Sequence, residues 1–169
     1  LERYGDRVEP AVLEEGTALI ERLGDYLTHR PEPFTAVHGD YRVDNMLFAT
    51  EAGGAPLTTV DWQTVALNPG VMDVSYFVGT SLLPEERGTH ERALVERYHE
   101  NLLAGGVKDY AFETCWNDYR RFAFAGFLMA VGASMIVGQT DRGDEMFMAM
   151  ANRSGRMAIE LDTLAMLDS

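Results

Sequence analysis

At 169 residues with a 46% hydrophobic fraction, this chain is long enough for one packed domain or one lobe of a larger one, and too apolar to be disordered. A net charge of −13 argues against nucleic acid, whose binding rests on basic side chains, and against anionic membrane surfaces. The one cysteine, Cys115, excludes an internal disulfide and a multi-cysteine zinc site, and is expected to be a small buried apolar residue.

In chain order, the opening residues Leu1–Arg7 are charged where a signal peptide needs an apolar segment, so a cytoplasmic setting is expected. Val12, Leu13, Leu19, Ile20, Leu23 and Leu27 recur at helical spacing and predict a helix over Val12–His29, which Pro31 and Pro33 stop. A short strand leads into His38, followed by a loop over His38–Asn45. Met46–Phe48 and Leu57–Val60 read as the arms of a β-hairpin joined by the turn-rich Glu51–Pro56. After Pro69-Gly70 the pattern is helical throughout. It predicts a short apolar helix over 71–83 and an amphipathic one over Pro84–Gly105, with Leu94, Val95, Tyr98 and Leu102 on one face. A long helix over Phe112–Gly138, the polar turn Gln139–Gly143 and a last helix over Asp144–Leu167 complete the chain. Residues 122–138 hold 17 uncharged residues, the lower edge of a bilayer span, yet their Gly and Ala content favours a buried core helix. No repeat or linker divides the chain, so 1–169 is expected to be a single α+β, mainly helical unit.

The residues that carry chemistry cluster in His38-Gly39-Asp40-Tyr41-Arg42-Val43-Asp44-Asn45. An aspartate stands five residues before an asparagine, and Asp61 follows Asn45 by sixteen residues, directly after a strand-like run. Kinases use this arrangement: one Asp accepts the proton of the substrate hydroxyl, while the Asn and a second Asp hold magnesium. Asp40 is the expected catalytic base, and Asn45 and Asp61 the expected magnesium and nucleotide ligands. The hairpin would bring the latter two to one end of paired strands, as two oxygen ligands for one ion require. His38 is expected to brace the loop by hydrogen bonding. Asp73 sits in a first helical turn, where it suits the helix dipole or receives backbone amides of the loop. The Met and aromatic residues of 112–157 read as core before pocket lining, and Arg120, Arg121, Arg153 and Arg156 as solvated or paired.

A protein-kinase loop reads His-Arg-Asp, but Gly39 holds the middle position here, and the eleven residues between Asp61 and Asp73 leave no room for an activation segment. The acceptor is therefore expected to be a small-molecule hydroxyl. In these residues the chain resembles the aminoglycoside phosphotransferase and choline kinase superfamily, whose pattern is His-Gly-Asp-x-x-x-x-Asn, then hydrophobic-Asp-aromatic-Glu/Gln, then an Asp near a helix start. His38–Asn45, Val60-Asp61-Trp62-Gln63 and Asp73 match in order and spacing, and Gln63 is similar to the ecdysteroid-kinase-like branch. The resemblance implies a protein-kinase-like C-terminal lobe with the acceptor among its helices, using ATP and Mg2+.

A kinase of this kind also needs an N-terminal lobe with a glycine-rich hairpin and a phosphate-pairing lysine. Only 37 residues precede His38, they read as a helix, and the chain's single lysine is Lys108. The expectation is a C-terminal lobe separated from its nucleotide lobe, inactive alone and prone to self-association through the face left bare. The alternative is a kinase-derived binding or oligomerisation module without chemistry. A metal hydrolase using His38, Asp40 and Asp61 is a distant third. Aminoglycoside, choline-like amine, sugar, macrolide and sterol-like acceptors all stay open; the acidic charge leans to cations and the Met/Phe content to apolar molecules.

Overall fold

The structure, a computed structural model, describes residue 4, residues 6–28 and residues 30–168. Leu1–Arg3 and Gly5 of the charged opening lie outside the described residues, as does His29. The helix expected over Val12–His29 is two helices, α1 (Pro10–Glu21) and α2 (Leu23–Thr28). They part at Arg22, whose backbone N–H turns back to the carbonyls of Leu19 and Ile20.

Two small antiparallel sheets follow. β1 (Phe34–Val37) pairs with β4 (Ala66–Pro69), with Phe34 opposite Pro69 and Val37 opposite Ala66. This pairing carried no signal in the sequence, since Ala66–Pro69 is short and ends in Asn-Pro. β2 (Met46–Thr50) and β3 (Gly53–Thr59) form the expected hairpin, with Met46 opposite Thr59. The connection is shorter than the Glu51–Pro56 turn expected, because Gly53 and Gly54 take φ of 105° and 118° and carry the chain straight into β3.

The rest is helical: α3 (Val71–Ser81), α4 (Pro84–Ala104), α5 (Phe112–Arg121), α6 (Ala125–Ile136) and α7 (Asp141–Glu160). The single helix expected over Phe112–Gly138 is broken by a 3-10 turn at Phe122–Phe124. All three turn residues are buried. Successive residues of a straight α-helix point about 100° apart, so the change of axis lets all three face the core. α7 starts three residues earlier than expected because the Thr140 hydroxyl accepts the Gly143 N–H and caps it.

α4 bears out the expected apolar face in part: Val95 is buried and Tyr98 and Leu102 pack against the core. Its buried positions are Arg87, Glu91, Val95 and His99, whereas Leu94 is 39% exposed. Arg87 pairs with Glu91 at 2.6 Å and with Glu160 of α7, and Tyr119 donates to Glu91 at 3.1 Å. Charges thus lie inside because partners from two other helices meet them.

α3 is the central helix, packing against α4, α5, α6 and α7. Its Val71, Tyr76 and Val78 join Tyr119, Phe122 and Phe124 in the core. Cys115 is buried as expected, and burial pushes its thiol up to about 11, which suits packing and not nucleophilic attack. No described helix is long and apolar enough to cross a membrane.

Candidate functional site

One face of α3 receives the His38–Asn45 loop almost residue by residue. The Asp73 carboxylate accepts the backbone N–H of His38 at 2.6 Å and of Gly39 at 3.0 Å. One turn on, the Tyr76 hydroxyl donates to Asp40 Oδ1 at 2.6 Å, and the Phe77 ring lies 5.7 Å from that of Tyr41. A further turn on, Ser81 Oγ accepts the N–H of Val43 at 3.2 Å. Positions i, i+3, i+4 and i+8 share one helical face, so a straight helix meets a straight run of loop in register. Of Asp73's two expected roles the structure shows both: it stands in the first turn of α3, and it grips the loop backbone. Burial raises its pKa, with the two amides opposing.

Gly39 makes the tight path possible. Its φ is +81°, and a Cβ there would come within 2.6 Å of the Thr64 carbonyl oxygen. Thr64 fixes the same spot from its side chain, its hydroxyl donating to the His38 carbonyl at 2.7 Å.

His38 braces the loop as expected. Its Nδ1 accepts the Asp40 N–H at 3.2 Å, which assigns the proton to Nε2, the atom 2.8 Å from the Val60 carbonyl. The ring is buried and lies 4.8 Å from that of Trp62. Both nitrogens are committed, so His38 has none left for a metal, and the hydrolase reading loses its first ligand. Among the described residues, no group of three or more His, Cys, Asp or Glu side chains is placed to hold a metal.

The three expected site residues occupy different environments. Asp40 is partly buried and held by donors on every side: Tyr76 on Oδ1, the Asn45 amide at 3.0 Å on Oδ2, and Arg42 Nε at 3.1 Å. Asn45 is buried, and its Nδ2 also donates to the Asp40 backbone carbonyl at 2.8 Å. With both amide protons spent on Asp40, Oδ1 is the Asn45 atom left to accept or to ligate. Asn45 is joined to the hairpin's far arm through its carbonyl, which accepts the Val60 N–H at 2.9 Å. Asp61 is the next residue, so the register sets it and Asn45 at one end of the hairpin. Asp61 itself is exposed, makes no hydrogen bond or ion pair with a described residue, and adopts the left-handed conformation with φ 65° and ψ 55°. Asn45 Oδ1 and the Asp61 carboxylate are thus uncommitted oxygens of the type magnesium takes, with phosphate and water supplying its other ligands in sites of this type.

Tyr76 and Arg42 went unnoticed in the sequence. Tyr76 had a signal, standing three residues after Asp73 and hence on the same face. Its phenol is shifted well above the usual range, first by burial and then by its bond to Asp40, so it stays a donor.

Residues 4–108 match the ecdysteroid kinase-like family, more than half of the chain. The chain belongs to the ecdysteroid kinase-like family. A curated mouse protein, acyl-CoA dehydrogenase family member 10, is 28% identical over 166 residues, covering 86% of this chain. The chain spans only 14% of that relative's length. No solved structure matches it. Within an ecdysteroid kinase-like chain, the matched segment contains the whole His38–Asn45 loop, the hairpin and α3, the elements that build the site.

Proposed function

We propose that this ecdysteroid kinase-like chain is the catalytic lobe of an ATP-dependent small-molecule O-phosphotransferase, acting on an alcohol in the cytoplasm. The observation that carries the reading is the Asp40 carboxylate, fixed by Tyr76, Asn45 and Arg42, with the uncommitted oxygens of Asn45 and Asp61 at one end of the hairpin. In this scheme the acceptor hydroxyl oxygen bonds to the γ-phosphorus, the bond to the β–γ bridging oxygen breaks, and the hydroxyl proton passes to Asp40. Asn45 and Asp61 would hold magnesium, which supplies charge neutralisation of the phosphates when bound. Tyr76 and Asn45 orient Asp40; Asp73 and His38 keep the loop in shape. Residues 1–169 form one lobe in this reading. No lysine precedes His38, so the phosphate-pairing lysine has to come from sequence outside these residues.

The test is magnesium-dependent ATP turnover by the protein carrying its native flanking sequence, across a panel of hydroxyl acceptors. Turnover that Asp40→Ala lowers at least about a thousandfold is expected. A well-folded protein inert on every acceptor, or an undiminished Asp40→Ala variant, would sink the reading.

One observation favours the alternative of a non-catalytic binding or oligomerisation module. The sheets expose apolar side chains, among them Leu47 at 57%, Phe48 at 61% and Leu67 at 73%. In the kinase reading this face receives the nucleotide lobe, and the bare lobe self-associates through it. Calorimetry separates the two: a pure module has no magnesium-linked nucleotide affinity even when flanked by its native sequence.

A further inference from the structure

A cavity of about 140 Å3 opens beside the Asp40 loop, walled by Arg42, Asp44, Thr80, Met146, Met150 and Arg153. We propose that it takes the body of an acceptor alcohol whose far end is anionic, a carboxylate or phosphate, and that Arg153 reads that charge. This rests on the phosphotransferase reading only for what happens to the hydroxyl.

The argument starts from the spacing on α7. Met146, Ala149, Met150 and Arg153 stand at i, i+3, i+4 and i+7, a single helical face, and all four line the cavity. The Met and Ala residues make an apolar wall that adapts to a ligand body. Arg42 closes one end. Its guanidinium bonds Asp40 and also Asp44 at 2.8 Å, and touches the Met146 sulfur at 3.0 Å, so its charge is met. Arg153 lies two helical turns farther along.

Arg153 differs from Arg42, the other cation lining this cavity. Its Nη1 donates to the Thr80 carbonyl at 3.1 Å, capping the last turn of α3 and using one of five N–H donors. It has no ion pair with a described residue, although acids outnumber bases 27 to 14. Arg42, by contrast, has carboxylate partners in both Asp40 and Asp44. Of the neighbouring hydroxyls, Thr80 donates to the Tyr76 carbonyl, while Ser81 accepts from Val43 and keeps its own O–H. Asp44, the carboxylate of this cavity, is already paired with Arg42, so the charged group with donors to spare is Arg153, and its complement is an anion. The chain's net charge leans towards cationic acceptors, whereas the charged contact left open in this cavity is the Arg153 guanidinium. Long-range charge steers approach, whereas contact chemistry selects the bound molecule.

The experiment uses this chain with methyl-labelled methionine and three probes of equal length: 6-hydroxyhexanoate, 1,6-hexanediol and 6-amino-1-hexanol. Methyl shifts of Met146 and Met150 report the cavity. Met135 and Met148, which line a separate apolar cavity between α1, α6 and α7, serve as internal controls. The hydroxy acid is expected to bind about tenfold more tightly than the diol, with the amine weakest. Arg153→Gln should bring acid and diol to equal affinity, and Arg153→Lys should keep part of the preference. An amine that binds as well as the acid, a preference that survives Arg153→Gln, or shifts confined to Met135 and Met148 would each overturn the proposal. Should Arg153→Gln fail to fold, the probe ranking on the native chain and on Arg153→Lys still decides. No nucleotide or turnover enters the measurement, so it can fail while phosphotransfer stands, and the reverse.

Discussion

The two ends of the site are built on opposite terms. Asp40 is tied by Tyr76, Asn45 and Arg42 to a loop whose backbone is itself gripped by Asp73. Asp61, at the open end of the hairpin, is exposed, bonded to no described residue, and held in a left-handed conformation. The bound side matches what a proton acceptor needs, since its geometry has to be right before the substrate arrives. The bare side matches what a metal ligand needs, since a carboxylate already paired would have to surrender its partner. The contrast makes a prediction about stability: substitutions on the α3 side should cost folding free energy, and those at Asp61 should not.

Asp73→Asn should have the largest effect. The amide removes the charge and turns one accepting oxygen into a donor facing a backbone N–H, at a place where two N–H groups point inward. Bonds to a charged acceptor are worth about 1.5–3 kcal/mol each, and a buried N–H left without a partner adds to the loss. A loss of about 2–4 kcal/mol is expected in urea denaturation, with weakened hydrogen-exchange protection at His38 and Gly39. Near-native stability would mean that the loop is held by Thr64 and His38 instead.

Tyr76→Phe is the next test. The ring stays packed in the core and only the hydroxyl leaves, so the measured loss isolates the 2.6 Å bond to Asp40. About 1–2 kcal/mol is expected from denaturation curves. In a protein with turnover, kcat should fall while KM for nucleotide holds, because Tyr76 bears on Asp40 and not on the hairpin. Equal losses in both would show that the phenol supports the lobe as a whole.

The candidate site's local geometry was easier to anticipate from the sequence than the long-range packing around it. Asp40, Asn45 and Asp61 stand out because a fixed spacing along the chain encodes a fixed arrangement in a loop and a hairpin, where neighbours in sequence stay neighbours in space. Tyr76 escaped because its partner is 36 residues away, and nothing local marks a buried phenol as a donor. The α4 stripe was incomplete for a related reason: Val95, Tyr98 and Leu102 do face the core, but hydrophobic periodicity cannot register Arg87 and Glu91 as interior, since what makes them interior is Glu160 and Tyr119 on other helices. The split of Phe112–Gly138 into α5 and α6 was hidden because the uniformly apolar run Phe122–Met129 has no face to lose when the axis turns. The pairing of β1 with β4 is equally non-local.

Asp61→Gly is the smallest effect and the sharpest test of the contrast, because its expected sign is opposite. At φ 65° an L side chain is strained by its Cβ, and glycine relieves that strain at the cost of a more flexible unfolded chain. No described side chain loses a bond when the carboxylate goes, and one negative charge leaves a chain carrying −13. The balance should be a gain of about 0.5–1 kcal/mol, read as a higher urea midpoint at unchanged slope. The same variant should lose magnesium-linked nucleotide binding in the protein that carries its native flanking sequence. Stability gained and ligation lost together are what a strained functional residue produces. A destabilised Asp61→Gly would show that the carboxylate holds the hairpin in place, and the division between a bound and a bare end of the site would fall.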